Sequence, residues 1–386
     1  MSEYRYYEFQ AVDRPLTDKE TKQLRRVSSR AQITATGFTN VYNWGYFKGN
    51  TEKWMEHFFD AFLYVDNSGG RMLMLRLPHR LLPMKEASRY CGGSCVGARR
   101  AGDHLILSFN SDEEDHEWAY GESWLPSLIS LRADLMQGDL RSLYLGWLLA
   151  AQWGELDDDV PEPAVPPGLN DPDDRLVRFI EFLRIDKDLV AAAAERSGTS
   201  ADARLSQGAA AKWAKGLPAR RKDRIIVQLL EGETRHLGAE LRRQARTELA
   251  AAAHAHSGGK RRRPRSVGEL LARAKAVGRS RRKHEAESRA REQALRERKK
   301  AAARKKYLES LCGQENELWQ KVRKLIATRL PQSYDEAVGL LEDLRDLAGL
   351  NRESSKFRRR MNALSTRHKR KSTLMKRLRD AALIGP

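Results

Sequence analysis

A run of charged residues from 279 to 306 limits the fold more than any other stretch. It reads RSRRKHEAESRAREQALRERKKAAARKK and holds thirteen Lys and Arg against four Glu. Between Gly278 and Lys306 the only large apolar residue is Leu295. A coiled coil requires apolar side chains at the a and d positions of several heptads. The run has no such seam, so the sequence disfavours a coiled coil and predicts a segment surrounded by water.

The amino-acid composition of this run nonetheless favours a helix. Ala, Arg, Lys, Glu and Gln fill nearly every position, and all of them have high helix propensity. Three Glu–Arg pairs have the i, i+4 spacing that contributes about 0.2–0.5 kcal/mol each, and these are Glu285–Arg289, Glu287–Arg291 and Glu292–Arg296. We therefore predict one long solvated helix, whose charged run is on the order of 40 Å long at about 1.5 Å per residue.

Charge is distributed unevenly along the 386 residues, which carry a formal net charge of +19. Residues 260–306 hold 20 Lys and Arg against 5 Asp and Glu, and residues 307–386 hold 17 against 10. Residues 1–259 hold 34 against 37. This asymmetry indicates a polyanionic partner or a basic connector, although solubility alone would also explain it.

The order of patterns predicts an α+β N-terminal domain followed by mainly helical regions, with the long basic helix and a small C-terminal helical bundle. Alternating aromatic and β-branched stretches such as YRYYEFQAVD (4–13) indicate strands, and Thr17 begins a predicted helix. A segment with five prolines and seven Asp and Glu, DDDVPEPAVPPGLNDPDD, indicates an extended solvated linker. The predicted domains are 1–156 (α+β), 157–174 (acidic Pro-rich linker), 175–252 (helical), 253–265 (basic linker), 266–306 (long charged helix) and 307–386 (helical bundle).

Two regions beyond the first linker have helical spacing of apolar residues. They are RLVRFIEFLRIDKDLVAAAAE (175–195) and RKDRIIVQLLEGETRHLGAELRRQ (221–244), which we interpret as amphipathic helices. In the first, we expect Phe179, Ile180, Phe182 and Leu183 to lie on one buried side. Four leucine-rich stretches after Tyr307 predict three or four short helices.

Cysteine usage and hydropathy indicate the compartment. Cys91, Cys95 and Cys312 are too few for a disulfide framework in a chain of this size. The longest apolar-rich run, YLGWLLAAQW (144–153), is far short of the roughly 20 residues that a membrane span requires. We expect a cytoplasmic protein with no membrane partner.

Motifs for known chemistries are weak. YCGGSC holds one C-x-x-x-C rather than paired C-x-x-C knuckles, so we interpret Cys91 and Cys95 as inert thiols in a glycine-rich turn. SDEEDHEW (111–118) lacks the spacing of a calcium loop, and AHAHS (253–257) supplies only two histidines. Phosphate-binding loops, nucleophile elbows and zinc-protease motifs do not occur. The sequence predicts no cofactor and no metal site.

The front and the tail of the chain resemble known families. YRYYEFQAVDRPLT, FTNVYNWGYFKGN and LYLGWLLAAQWGELDDD resemble a recurrent family of uncharacterised bacterial proteins. ELWQKVRKLIATRLPQSYDEAVGLLEDLRDLA (317–348) is similar to the helical C-terminal part of bacterial SWIM zinc-finger proteins, over about a fifth of the chain. The SWIM signature, C-x-C followed by C-x-H, is absent, so the resemblance implies no zinc and no nucleic-acid role. The helix YDEAVGLLEDLRDLA also resembles half of a tetratricopeptide-type hairpin, which would suit protein binding.

Three functions follow from these patterns. The first is a non-enzymatic bacterial scaffold that binds a protein partner through helical modules. The second is a sequence-independent nucleic-acid-associated protein, because clustered Lys and Arg release counterions on binding phosphates. Its candidate ligands, within residues 260–306, are Lys260, Arg261, Arg262, Arg263, Arg265, Arg281, Arg282 and Lys283. The third is an enzyme, for which the candidate cluster is Asn43, Trp44, Tyr46 and His57.

Overall fold

A seven-stranded antiparallel sheet forms the centre of the N-terminal region. A computed structural model of the chain describes residues 4–112, 121–199, 207–232, 235–256 and 263–385, with the backbone alone for 207 and 250–256. The strands are β1 (Arg5–Gln10), β2 (Gln32–Ile33), β3 (Gly37–Tyr42), β4 (Ala61–Asp66), β5 (Gly70–Pro78), β6 (Val96–Ala101) and β7 (His104–Asp112). They pair in the order β2-β3-β1-β4-β5-β7-β6, and Tyr7 of β1 lies opposite Asn40 and Tyr64 on its two neighbours.

Alternation along the strands gives the sheet two buried faces. Successive side chains of a strand point to opposite faces. In β5, Leu73, Leu75 and Leu77 enter the larger core, whereas Met74 enters a second core on the other face. A sheet that is apolar on both faces has to be covered on both, which determines where the helices pack.

Short helices cover the face of the larger core. They are α3 (Met84–Ala87), α4 (Trp124–Leu128), α5 (Leu131–Met136), α6 (Arg141–Gln152), α7 (Asp174–Leu183) and α8 (Lys187–Ala194). Helix α6 is buried around its circumference, because sheet and helices surround it. The four residues Phe179, Ile180, Phe182 and Leu183 of α7 are buried, which confirms the predicted apolar side.

Two helices cover the second face. Helix α1 (Asp18–Val27) begins at Thr17, whose side chain accepts a hydrogen bond from the Glu20 backbone N–H, while the Glu20 carboxylate accepts from the Thr17 N–H. This capping box confirms the predicted start of the helix. Helix α2 (Thr51–His57) places Trp54 against Phe9 and Phe38, with ring centroids 5.1 and 4.8 Å apart.

Both edges of the sheet carry features that limit their pairing. At one edge, β2 is only two residues long. At the other edge lies β6, which carries Arg99 and Arg100. The Arg99 guanidinium reaches across to Glu56 of α2 at 2.5 Å.

Among the residues that the structure describes, three further helices precede the long helix. They are α9 (Gln207–Gly216), α10 (Ala219–Leu230) and α11 (Leu237–His256). On one side of α10, Arg221 donates to Glu248 at 3.0 Å and to Gln244 at 2.7 Å, both on α11. Trp213 of α9 donates its indole N–H to the same Glu248 at 2.7 Å. These polar contacts hold α9, α10 and α11 together.

The segment 157–174 differs from the solvated linker that its composition predicts. Leu169 is 3% exposed within the larger core, and Glu162 is also buried. Pro161 forms a β-bridge with Ser266. Prolines and acidic residues do favour extended chain, but this extended chain runs along the folded unit and supplies side chains to it. The linker interpretation of 157–174 is corrected accordingly.

The long charged helix and the C-terminal bundle are both present. Helix α12 (Val267–Ser310) spans 44 residues. It is followed by α13 (Glu315–Thr328), α14 (Pro331–Leu350), α15 (Ser354–His368) and α16 (Ser372–Asp380). These four helices enclose a core of their own that includes Trp319, Leu341, Met361 and Leu378. The predicted fold class is therefore confirmed.

Contacts divide the chain into two compact units, Met1–Arg281 and Arg282–Pro386, which we call the N-terminal and the C-terminal unit. The predicted separation of 1–156 from 175–252 is not found, because α7 and α8 contribute to the same core as the sheet. The predicted basic linker is only partly described. Residues 253–256 end α11, residues 257–262 lie outside the described residues, and residues 263–265 lead into α12.

We predict that 157–174 resists limited proteolysis in the full chain. Its buried Glu162 and Leu169 would have to leave the core before a protease could bind the backbone. The measurement is mass spectrometry of early cleavage products. Leu169→Asp should create early cuts in this segment, and Val177→Asp, at a position 37% exposed, should not. Early cleavage of the unmodified chain within 157–174 would restore the linker interpretation.

Candidate functional site

The eight basic residues proposed as phosphate ligands do not form one patch. Arg265 is 7% exposed, and its guanidinium donates to both oxygens of Glu162 at 2.8 Å. It also donates to the Ala192 carbonyl at 2.9 Å. A guanidinium that is buried and fully engaged in this way cannot turn to a phosphate. Arg265 is therefore removed from the candidate site, and its role is structural.

Glu162 shares its carboxylate with a third group. The Tyr144 hydroxyl, on the fully buried α6, donates to Glu162 at 2.6 Å. Burial, followed by the negative charge of Glu162, raises the pKa of Tyr144 well above its ordinary value. The phenol therefore stays protonated and serves as a donor. Tyr144, Glu162 and Arg265 form a closed network, with the acid satisfied from both sides.

The remaining candidates have three different environments. Lys260, Arg261 and Arg262 lie outside the described residues. Arg263 is exposed, with 85% of its side chain in water. Arg281 is engaged by Asp188 of α8 through Nε–Oδ1 at 2.7 Å and Nη2–Oδ2 at 3.1 Å.

Arg282 and Lys283 belong to the basic run proper. Every described residue from Arg279 to Tyr307 is exposed. Arg282 and Lys283 have no ion pair with any described residue. Of the three predicted Glu–Arg pairs, Glu285–Arg289 forms an ion pair at 3.8 Å, and the other two are not ion pairs in the described helix. The run is therefore a mostly unpaired cationic surface.

The C-terminal unit contains a second basic stretch that was not predicted from the sequence. Residues 354–371 contain eight Lys and Arg and neither Asp nor Glu. Within this stretch, Arg360 and Arg367 lie with Arg323 of α13 around a groove of about 300 Å³. The absence of acidic residues from a basic helix was the sequence signal for this surface.

The apolar face of α10 was predicted as an amphipathic pattern, but its exposure was not. No residue of α10 is buried. Ile226, Val227, Leu229 and Leu230 are exposed by 53%, 47%, 52% and 81%. Ile226, Leu229 and Leu230 have i, i+3, i+4 spacing, so they form one stripe. In the described chain this stripe is the densest group of large exposed apolar side chains.

Charged groups lie beside this stripe. By helical spacing, Lys222 and Asp223 lie one turn before Ile226, whereas Arg220 and Arg224 lie one turn apart beyond Val227, and these two arginines follow that edge. Both are exposed. The opposite side of α10 faces α11 through Arg221. The helix thus presents its apolar stripe outward with a mainly cationic border, which we call the α10 face (Arg220, Arg224, Ile226, Val227, Leu229 and Leu230).

Groups considered for catalysis or metal binding are structural or dispersed. Trp44 and Tyr46 are 77% and 70% exposed in the turn after β3, and His57 ends α2 with 66% of its side chain exposed. Burial and the Glu155 carboxylate raise the pKa of Cys95 to about 12, and burial raises that of Cys91. Both thiols therefore remain protonated at neutral pH. Most of the acidic SDEEDHEW segment, 113–118, lies outside the described residues.

A buried ionic cluster lies at one end of the sheet. Asp60 is 1% exposed and pairs with Arg76 at 2.9 Å, and Asp13 pairs with Arg132 at 2.6 Å. Burial acts to raise the pKa of Asp60, but Arg132, two backbone N–H donors and Arg76 outweigh it, and the pKa falls below its ordinary value. Each charge in the cluster faces an opposite one, so the cluster joins strands to α5.

Comparison with known proteins gives no assignment: the chain matches no protein-family model, no curated protein and no solved structure. The resemblances stated from the sequence therefore stay predictions. Among the described side chains, no group of three or more His, Cys, Asp and Glu is arranged to hold a metal ion. No described helix has both the length and the apolar composition needed to cross a membrane.

We predict that Arg265→Met lowers the free energy of unfolding of the N-terminal unit by about 3–5 kcal/mol, because Glu162 is left buried without its partner. Arg263→Met should change it by less than about 0.5 kcal/mol, since that side chain is in water. Guanidinium unfolding followed by tryptophan fluorescence measures both. Removing the two charges together, with Arg265→Met and Glu162→Leu, should recover much of the loss. Equal effects of the Arg265 and Arg263 substitutions would contradict the structural role.

Proposed function

We propose that this protein is a non-enzymatic bacterial scaffold that binds a protein partner through its helical modules. The α10 face carries the proposal. An isolated apolar side chain on a surface is ordinary, whereas four large ones on one helix form a contiguous patch of the kind found at interfaces. We also propose that the protein acts in the cytoplasm, which agrees with its three free cysteines.

The partner we propose is an amphipathic helix with acidic residues beside its apolar side. Ile226, Leu229 and Leu230 offer the i, i+3, i+4 anchors of helix-to-helix recognition. Helix α10 carries four basic residues against one acidic residue, Asp223, so a partner helix with Glu or Asp beside its apolar side gains favourable electrostatic contact. A helix that is apolar and acidic in this arrangement fits the α10 face better than a basic one.

The proposal is tested by placing a photo-crosslinking residue at position 230 of the full chain in its source organism. The crosslinked peptide should come from another protein and have the predicted apolar and acidic pattern. With that partner purified, Ile226→Gln combined with Leu230→Gln should weaken binding at least about tenfold, since central apolar anchors dominate such interfaces. Isothermal titration calorimetry gives the dissociation constants.

The matched control replaces two apolar side chains of similar exposure in the C-terminal unit. Leu330 and Leu350 are 60% and 46% exposed, and changing both to Gln should leave the affinity unchanged. Crosslinks to a second copy of this chain would instead identify a homodimer interface. Binding that survives the substitutions at 226 and 230 would remove the α10 face from the proposed function.

A second candidate function is sequence-independent binding of nucleic acid, and it is favoured by the exposed run 279–307. Residues 282–386 hold 28 Lys and Arg against 14 Asp and Glu. Such a surface would contact mainly phosphates, because the run contains neither aromatic side chains for stacking, apart from Tyr307, nor a dimer seam to set half-sites.

For this candidate we predict similar affinity for unrelated duplexes and a steep loss with salt, with log K falling against log[salt] by about 0.9 per neutralised phosphate. Arg282, Lys283, Lys299 and Lys300 changed together to Gln should flatten that slope. Removing the same charge from α1 and the turn after it, at Lys19, Lys22, Arg26 and Arg30, should not. Fluorescence anisotropy from about 50 mM salt upward measures both. Absence of binding at about 50 mM, or equal slopes, would remove the run 279–307 as a nucleic-acid surface.

A further inference from the structure

A small pocket in the N-terminal unit lies apart from the α10 face. It has a volume of about 280 Å³ and is formed by α11, the turn before α6, the residue Tyr90 after α3, and the segment 164–167. Much of its lining is apolar and includes Leu140, Val165 and Pro166. Arg243 and Arg246, which are three residues apart on α11, supply its cationic groups.

Unused hydrogen-bond donors are concentrated in this pocket. The described residues contain four buried side-chain nitrogen or oxygen atoms that lack a hydrogen-bond partner. Two of the four are Arg243 Nη1 and Arg246 Nε, both from pocket-lining residues. An unsatisfied buried donor is costly, and native structures keep few of them. Two in one small pocket leave donors that a bound ligand with acceptor groups would satisfy.

The other polar groups around the pocket already have partners. The Tyr90 hydroxyl donates to the Ala164 carbonyl at 3.0 Å, and the Thr247 hydroxyl donates to the Arg243 carbonyl at 3.0 Å. Both oxygens of Asp139 accept from Arg141 at 2.8–3.0 Å. At the two arginines the ligand therefore has to accept hydrogen bonds, because a guanidinium has only donors.

The charges around the pocket also favour a ligand that accepts hydrogen bonds. Glu86 binds Arg243 through Nη2, whereas Arg246 has no ion pair with any described residue. Burial lowers the pKa of Arg246; Asp139, which also lines the pocket, and Asp134 act against this, and Arg141 adds to it. A half-buried cation without a paired anion is stabilised when a ligand brings a negative charge.

We propose that this pocket binds a small organic carboxylate with an apolar body. The carboxylate accepts hydrogen bonds from Arg243 and Arg246, because a planar guanidinium matches carboxylate geometry. The apolar body lies against Leu140, Val165 and Pro166. A pocket near the lower end of the size range of ligand sites suits a molecule of about the size of benzoate. The site is independent of the proposed scaffold function.

The test uses benzoate as the probe and benzamide as its neutral counterpart, with the full-length chain in calorimetric titrations. Benzoate should bind and benzamide should bind at least about tenfold more weakly, since only benzoate carries the charge. This comparison needs no variant, so it stands even if a substitution harms folding.

Two variants on the same helix locate the site. Arg246→Met keeps an apolar stem and removes the donors, and it should weaken benzoate binding at least about tenfold. Arg242→Met removes an equal charge from an exposed position of α11 and should leave binding unchanged. Equal binding of benzoate and benzamide, no binding of benzoate, or binding that is indifferent to Arg246→Met would overturn the proposal. Tighter binding of inorganic phosphate than of benzoate would overturn the assignment to carboxylates.

Discussion

The Arg265 guanidinium and the Glu162 carboxylate meet out of water, with two contacts of 2.8 Å. Neither charge could be buried alone, so the strand-like segment around Pro161 and the start of α12 have to reach their places together. The Ala192 carbonyl and the Tyr144 hydroxyl complete the network. These four groups join one core out of α6, α8, the segment 157–174 and the residues that lead into α12.

Local signals in the sequence were sufficient for much of the fold. The helix start at Thr17, the alternation in β1, the apolar side of α7 and the solvated character of α12 all depend on residues close together in the chain. The burial of residues 157–174 could not be predicted from such local signals. This burial depends on Arg265, 103 residues after Glu162, and composition carries no information about such a pairing.

The candidate surfaces also depend on contacts that the sequence does not reveal. The amphipathic pattern in α10 predicts that its apolar side is buried. It does not indicate whether residues of this chain or of a partner protein bury that side. The basic residues 260–265 looked uniform in sequence, yet Arg263 is in water and Arg265 is in the core. Arg243 and Arg246 had no distinguishing sequence pattern at all, because an unused donor is recognised only when its surroundings are known.

The edges of the sheet bear on how this protein behaves at high concentration. An open strand edge offers N–H and C=O groups to any other strand, and this is a common route to aggregation. Here the β2 edge is two residues long, too short to template a partner strand. The β6 edge carries Arg100, which has no ion pair with any described residue, so two copies meeting there would bring like charges together. Neither edge of the sheet therefore invites a second copy of this chain to add a strand.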